Sequence, residues 1–143
     1  MKKLPALLLI LSCATLIACS KGQEINGHTT NTAYRSVKAL KNRLSPDNRI
    51  EFEVSFWTIR DAKKDDKEFL DTVDGKKPEE IIAIGKEIYQ ERKAVGFKGY
   101  EQYSSWEEMI AKFGKERLDQ DNRKGRSKEA QDKDKANDVL YKL

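Results

Sequence analysis

The chain has 143 residues with 28 basic and 24 acidic side chains, a net charge of +4, one histidine and two cysteines. Basic and acidic residues are interleaved along almost the whole sequence, whereas a nucleic-acid-binding protein concentrates its basic residues on one face. The composition therefore excludes a nucleic-acid partner, and the length fits one ordinary domain with additional segments.

Residues 1–18 have the pattern of a secretory signal peptide. Lys2 and Lys3 form a basic start, an apolar run follows over residues 4–11, and the small residue Ala18 precedes Cys19. The apolar stretch is shorter than the roughly 20 residues that a transmembrane helix needs. The sequence therefore predicts a signal peptide that is cleaved.

The residues at the predicted cleavage point are Leu16, Ile17, Ala18 and Cys19, and they resemble the lipobox of bacterial lipoproteins at every position. The resemblance implies cleavage between Ala18 and Cys19, a diacylglyceryl group on the Cys19 sulfur and acylation of the new amino group. Cys13 fits the motif less well, because a bulky leucine stands two residues before it.

The implied anchor makes a lipid bilayer the first expected partner, since more than one acyl chain gives stable attachment. Ser20 stands where an aspartate would favour the inner membrane in such lipoproteins. We therefore expect a periplasm-facing protein of the outer membrane, with the inner membrane as the alternative.

Cleavage would lower the net charge from +4 to +2 and leave Cys19 as the only cysteine. Without a disulfide, stability must come from packing, which favours a compact helical fold.

Residues 19–30 carry two glycines and several small polar residues, a composition typical of a flexible tether.

A helical domain is predicted over residues 31–114. Its first helix covers Thr32–Leu44, because apolar residues recur there at helical spacing: Tyr34, Val37, Leu40 and Leu44.

The segment Asp47–Ala62 is ambiguous. Its apolar residues alternate with polar ones, as in a strand, but they also form two adjacent helical stripes, Ile50, Val54 and Trp57 in one and Phe52, Phe56 and Ile59 in the other. Ser45 and Pro46 are good residues for a helix start, which favours the helix. The β-branched and aromatic content keeps a strand as the alternative.

Two further helices are predicted over Lys67–Val73 and from Pro78 to Lys93, separated by a break at Asp74 and Gly75. The second begins with proline and two glutamates, which suit the positive end of a helix dipole.

Ser105 and Glu108 match a capping box, which predicts another amphipathic helix that Gly114 would end. Apolar residues become rare over 115–143, so we predict a charged tail there that is disordered or loosely helical. The expected fold is all-α, with about four helices after the signal peptide.

Several short motifs resemble a family of small proteobacterial lipoproteins that pair a lipobox with one short helical domain. The resemblance covers roughly residues 25–90 and implies no activity and no catalytic residues. Its motifs are Ser45-Pro46-Asp47-Asn48-Arg49, Glu51-Phe52, Phe69-Leu70, Asp74-Gly75-Lys76 and Glu79-Glu80-Ile81-Ile82.

The sequence offers no catalytic constellation. His28 is the only histidine and lies in the predicted tether, and the adjacent carboxylates Glu79/Glu80 and Glu107/Glu108 fit helix first turns. A metal or catalytic site needs companions at fixed geometry. We therefore expect neither an enzyme nor a metal or cofactor.

A glycine-containing stretch carries four aromatic residues that either cover the end of the helical core or form an exposed patch for a partner: Phe97, Tyr100, Tyr103 and Trp106. The expected function is a non-enzymatic binding or interaction module at the envelope, with an envelope protein as partner. The alternative is an immunity or inhibitor lipoprotein that neutralises a periplasm-acting toxin or hydrolase.

Overall fold

The computed structural model describes the backbone of residues 22–140 and the side chains of residues 22–129. Within that part of the chain the fold is all-helical and has no β-strand, as predicted. A short 3-10 helix lies at Lys98–Tyr100, and the α-helices are α1 (Thr30–Lys41), α2 (Pro46–Ala62), α3 (Asp66–Val73), α4 (Pro78–Ala94) and α5 (Trp106–Leu140). The predicted signal peptide and Cys19 lie outside the described residues.

The chain divides into two compact units. The first unit ends at Phe97 and contains α1 to α4, and the second unit begins at Lys98 and contains α5. The helical domain predicted over residues 31–114 therefore spans both units, because the helix that begins at Trp106 belongs to the second one.

The segment Asp47–Ala62, which could be a helix or a strand by its sequence, forms the helix α2. The helical interpretation is confirmed, and the strand alternative is wrong. Pro46 is the first helical residue, where its missing N–H costs no hydrogen bond, although the Ser45 side chain makes no capping bond. Phe52, Phe56 and Ile59 are completely buried and share one face of the helix. Burial of this face outweighs the strand preference of its aromatic and β-branched residues.

A single hydrophobic core holds the first unit together. α2 and α4 pack against each other along their length, and α1 and α3 complete the bundle. The buried core residues are Ile25, Ala33, Val37, Leu40, Phe52, Phe56, Ile59, Phe69, Val73 and Ile81.

The segment that precedes α1 is attached to the first unit. Ile25 is only 2% exposed, its N–H donates to the carbonyl oxygen of Lys76, and its carbonyl oxygen accepts from the N–H of Gly75, both at 2.9 Å. The prediction of a flexible tether over 19–30 is therefore wrong from Ile25 onward. The physical reason is that one apolar side chain in a polar stretch enters the core while its backbone bonds a distant loop.

The predicted capping box forms at the start of α5, except that the Glu108 side chain bonds the N–H of Ser104 in place of that of Ser105. The Ser105 hydroxyl oxygen accepts from the N–H of Glu108 at 3.1 Å. The Glu108 carboxylate accepts from the N–H of Ser104 at 2.7 Å. Together these bonds satisfy two backbone donors near the first turn of the helix.

α5 does not end at Gly114, as the sequence had predicted, but continues to Leu140 over 35 residues. Residues 115–129 of this helix are exposed. A glycine inside a helix costs only about 1 kcal/mol, and the surrounding Lys, Arg, Glu and Gln residues are good helix formers. The part of the charged tail that the structure describes is therefore helical.

Candidate functional site

A partly exposed tryptophan lies on the surface of the first unit. Trp57 of α2 is 48% exposed. Its ring centroid lies 5.5 Å from that of the buried Phe56, at an interplanar angle of 83°. Tyr34 of α1 flanks it on another side, with the centroids 5.3 Å apart and the planes tilted by 46°. Two aromatic rings from two helices thus form one continuous surface.

The rings beneath this surface hold it in place. Phe56 and Phe69 are fully buried and meet edge to face, with centroids 5.4 Å apart at 76°. Tyr34 makes a similar edge contact with Phe56 at 6.0 Å and 80°. Such pairs contribute about 0.5–1.5 kcal/mol each beyond the burial of their area. The position of Tyr34 is therefore set by the core.

Arg60 adds a fixed positive charge beside the aromatic rings. Its guanidinium lies 4.8 Å from the ring centroid of Phe69 and donates to Asp66 Oδ1 at 2.5 Å and to the Lys63 carbonyl oxygen at 3.3 Å. The hydrogen bond with Asp66 is the main cause that raises the pKa of Arg60 above its ordinary value, and Tyr34 acts in the same direction. Arg60 therefore stays charged.

Tyr34, Trp57 and Arg60 together form what we call the Trp57 surface. Tryptophan, tyrosine and arginine are the residue types that dominate the binding energy of protein interfaces. A surface whose side chains are already ordered loses little conformational entropy when a partner covers it. The Trp57 surface therefore has the composition and the support of a binding site.

The four aromatic residues predicted as a partner contact do not form one exposed patch. Tyr103 and Trp106 are buried, at 7% and 2% exposure. Phe97 is 39% exposed, but it belongs to the first unit, and the Arg92 guanidinium lies 4.7 Å from its ring centroid. Tyr100 is partly buried in the second unit. The exposed-patch interpretation is therefore wrong for Tyr103 and Trp106, because both side chains are buried. Trp106 is the first residue of α5.

Trp57 shares an apolar stripe with Ile50 and Val54, and this pattern alone does not predict its exposure. In the structure that stripe is only partly buried, while the adjacent stripe with Phe52 and Phe56 is fully buried. A surface helix of a small domain buries one apolar face about 100° wide. The sequence signal for an exposed aromatic residue in α2 is therefore its second apolar stripe, which contains tryptophan and lies beside the stripe that faces the core.

Two of the polar side chains in the first unit are His28 and the Asp61 carboxylate of α2. His28 is exposed, and no group of histidine, cysteine, aspartate and glutamate suited to a metal ion occurs among the residues that the structure describes. Asp61 accepts hydrogen bonds from Lys64 at 2.5 Å and from Arg92 at 2.8 Å. Both bonds lower the pKa of Asp61, and the bond from Arg92 ties α2 to α4.

Comparison of the chain with protein-family models, with curated proteins and with solved structures finds no match. Over residues 22–140, no helix has the length and the apolar composition needed to cross a membrane. The predicted lipidation residue Cys19 and the cleavage point after Ala18 lie before this range.

Proposed function

We propose that this chain is a lipid-anchored envelope lipoprotein that faces the periplasm and acts as a non-enzymatic binding module. The lipobox that ends at Cys19, behind a basic and apolar signal sequence, supports the anchor. The Trp57 surface supports the binding role. Its half-exposed tryptophan, packed on the buried ring of Phe56, is the observation that carries the proposal.

The expected contribution of Trp57 to binding is large. Interface residues that dominate binding cost at least about 2 kcal/mol when they are truncated to alanine. Such a loss weakens binding by roughly thirtyfold, since each 1.4 kcal/mol is a factor of ten. Tyr34 adjoins Trp57, and Arg60 interacts with Tyr34, so the two would supply a second ring and a guanidinium group to the same partner.

The test is affinity capture from the bacterial envelope with the lipidated protein as bait, followed by a binding measurement with the purified partner. Trp57→Ala is expected to lose the partner or to raise its Kd by about thirtyfold. Phe97→Ala is the matched control, because Phe97 is also an exposed aromatic residue of the first unit.

Circular dichroism of both variants must show the helical fold before binding is compared. A partner that binds the wild-type protein and Trp57→Ala equally would contradict the assignment of the Trp57 surface. The identity of the captured protein separates an envelope component from a toxin or hydrolase.

A further inference from the structure

The segment before α1 runs back along that helix. The carbonyl oxygen of Gly22 accepts from Arg43 Nη1 at 2.7 Å, just beyond the end of α1. The N–H of Asn26 donates to the Ser36 hydroxyl oxygen at 3.0 Å, midway along the helix, and Thr29 caps its start. The polypeptide therefore enters the first unit beside the C-terminal end of α1.

The connection between this entry point and the proposed anchor is short. Gly22 follows Cys19 by three residues, and three residues span at most about 11 Å. That reach is about the diameter of one helix with its side chains. A lipid on Cys19 would therefore hold the C-terminal end of α1 against the membrane surface.

Cationic residues gather at the same end of the helix. Lys38 and Lys41 occupy the last turn of α1, and Arg43 follows it. Arg49 Nε donates to the carbonyl oxygen of Lys41 at 2.9 Å, which places a further guanidinium there. Lys41 is also 3.4 Å from a Glu53 carboxylate oxygen. Basic residues next to a membrane anchor are attracted by anionic headgroups.

We infer that the C-terminal end of α1 is a membrane-contact surface that binds anionic phospholipid headgroups through Lys38 and Arg43. The inference rests on the proposed lipid anchor. Tyr34 lies four residues before Lys38, about 6 Å or one helical turn farther along the helix axis. The Trp57 surface therefore adjoins the proposed headgroup contact, one turn farther from the anchored end of α1.

The experiment compares two labelled positions on the processed, lipidated protein in vesicles of phosphatidylethanolamine and phosphatidylglycerol. Asn31→Cys and Asn42→Cys are matched substitutions at opposite ends of α1, and both positions are exposed. They lie eleven residues apart, about 16 Å along the axis. Each carries a fluorophore, and the vesicles carry a quencher on the lipid headgroups. The proposed processing removes Cys13 and modifies Cys19, so the label reaches only the introduced cysteine.

We expect about twofold or greater quenching at position 42 relative to position 31, given their separation along the helix. The pair Lys38→Gln and Arg43→Gln should lower this ratio toward one. The control pair Lys64→Gln and Lys67→Gln removes the same charge near α3 and should leave the ratio unchanged. An equal effect of the two pairs would overturn the headgroup contact of Lys38 and Arg43.

Equal quenching at the two labelled positions of a lipidated protein would overturn the inference alone and leave the proposed function intact. The mass of the amino-terminal peptide, measured on the same preparation, separates the two failures. A peptide without lipid would overturn the proposed anchor and this inference together.

Discussion

Gly85 of α4 lies against Ser55 of α2 so closely that the contact has no room for a methyl group. A Cβ atom on Gly85 would lie 2.6 Å from Ser55 Cβ and 2.7 Å from Ser55 Cα. Both residues are buried, and the Ser55 hydroxyl donates to the carbonyl oxygen of Glu51 at 2.6 Å. The two longest helices of the first unit therefore meet almost backbone to backbone, and glycine is required at this crossing.

Gly85→Ala is expected to lower the free energy of unfolding by about 1–3 kcal/mol, the range for overpacked cores. The clash outweighs the gain of up to about 1 kcal/mol that alanine brings to a helix. Urea unfolding followed by circular dichroism measures the change. Gly114→Ala is the control, because a Cβ there meets nothing within 4 Å. Gly114→Ala should keep or raise the stability, so a Gly85→Ala variant as stable as the wild-type protein would refute the close crossing.

The attachment of the segment before α1 gives a second prediction. The N–H of Gly27 donates to Asp74 Oδ1 at 2.6 Å, and a Cβ on Gly27 would lie 2.5 Å from Asp74 Cβ. Gly27→Ala should therefore detach the segment and speed hydrogen exchange at the amides of Ile25 and Gly75. The acceleration should be on the order of tenfold, which corresponds to about 1.4 kcal/mol of local opening.

His28→Ala is the control for this experiment, because the His28 side chain is exposed and the variant keeps the backbone bonds of the segment. Exchange at Ile25 as fast in the wild-type protein as in an unfolded peptide would restore the interpretation as a flexible tether.

Asp61 predicts a dependence of stability on pH. Hydrogen bonds from Lys64 and Arg92 lower its pKa in the folded state below the ordinary value of 3.8. A lowered carboxylate pKa contributes stability above that ordinary value, and the contribution is lost as the pH falls through the folded-state pKa. Arg92→Gln should raise the pKa of Asp61 and weaken this acid-dependent loss.

Carbon-detected NMR titration of the Asp61 carboxyl measures this shift directly. Lys67→Gln is the control, because Lys67 pairs with Asp71 and not with Asp61. The two ion pairs of Asp61 are partly exposed, so the energetic effect should be small while the shift itself is measurable. A titration curve that Arg92→Gln leaves unchanged would rule out the bond between α2 and α4.

The helices of the first unit follow from local features of the sequence. Proline opens both α2 and α4, the apolar residues repeat at helical spacing, and Asp74 and Gly75 separate α3 from α4. Local rules also located the start of α5 at Ser105. They failed at Gly114, because one glycine is a weak signal when good helix formers continue on both sides.

Features that depend on distant contacts were not predictable in the same way. The backbone of Ile25 forms hydrogen bonds with a loop about fifty residues later in the chain, and no local sequence pattern predicts that pairing. The exposure of Trp57 depends on which of two stripes of α2 faces the core. Gly85 looks like an unfavourable helix residue until Ser55 is placed against it.

The central claim is that fatty acyl chains on Cys19 tether a periplasmic binding module, and mass spectrometry of the amino-terminal peptide from cells tests it most directly. We predict a peptide that begins at Cys19 and carries the acyl groups, and Cys19→Ser should leave an unlipidated precursor that still carries residues 1–18. A wild-type chain that retains Met1 and carries no lipid would contradict the account.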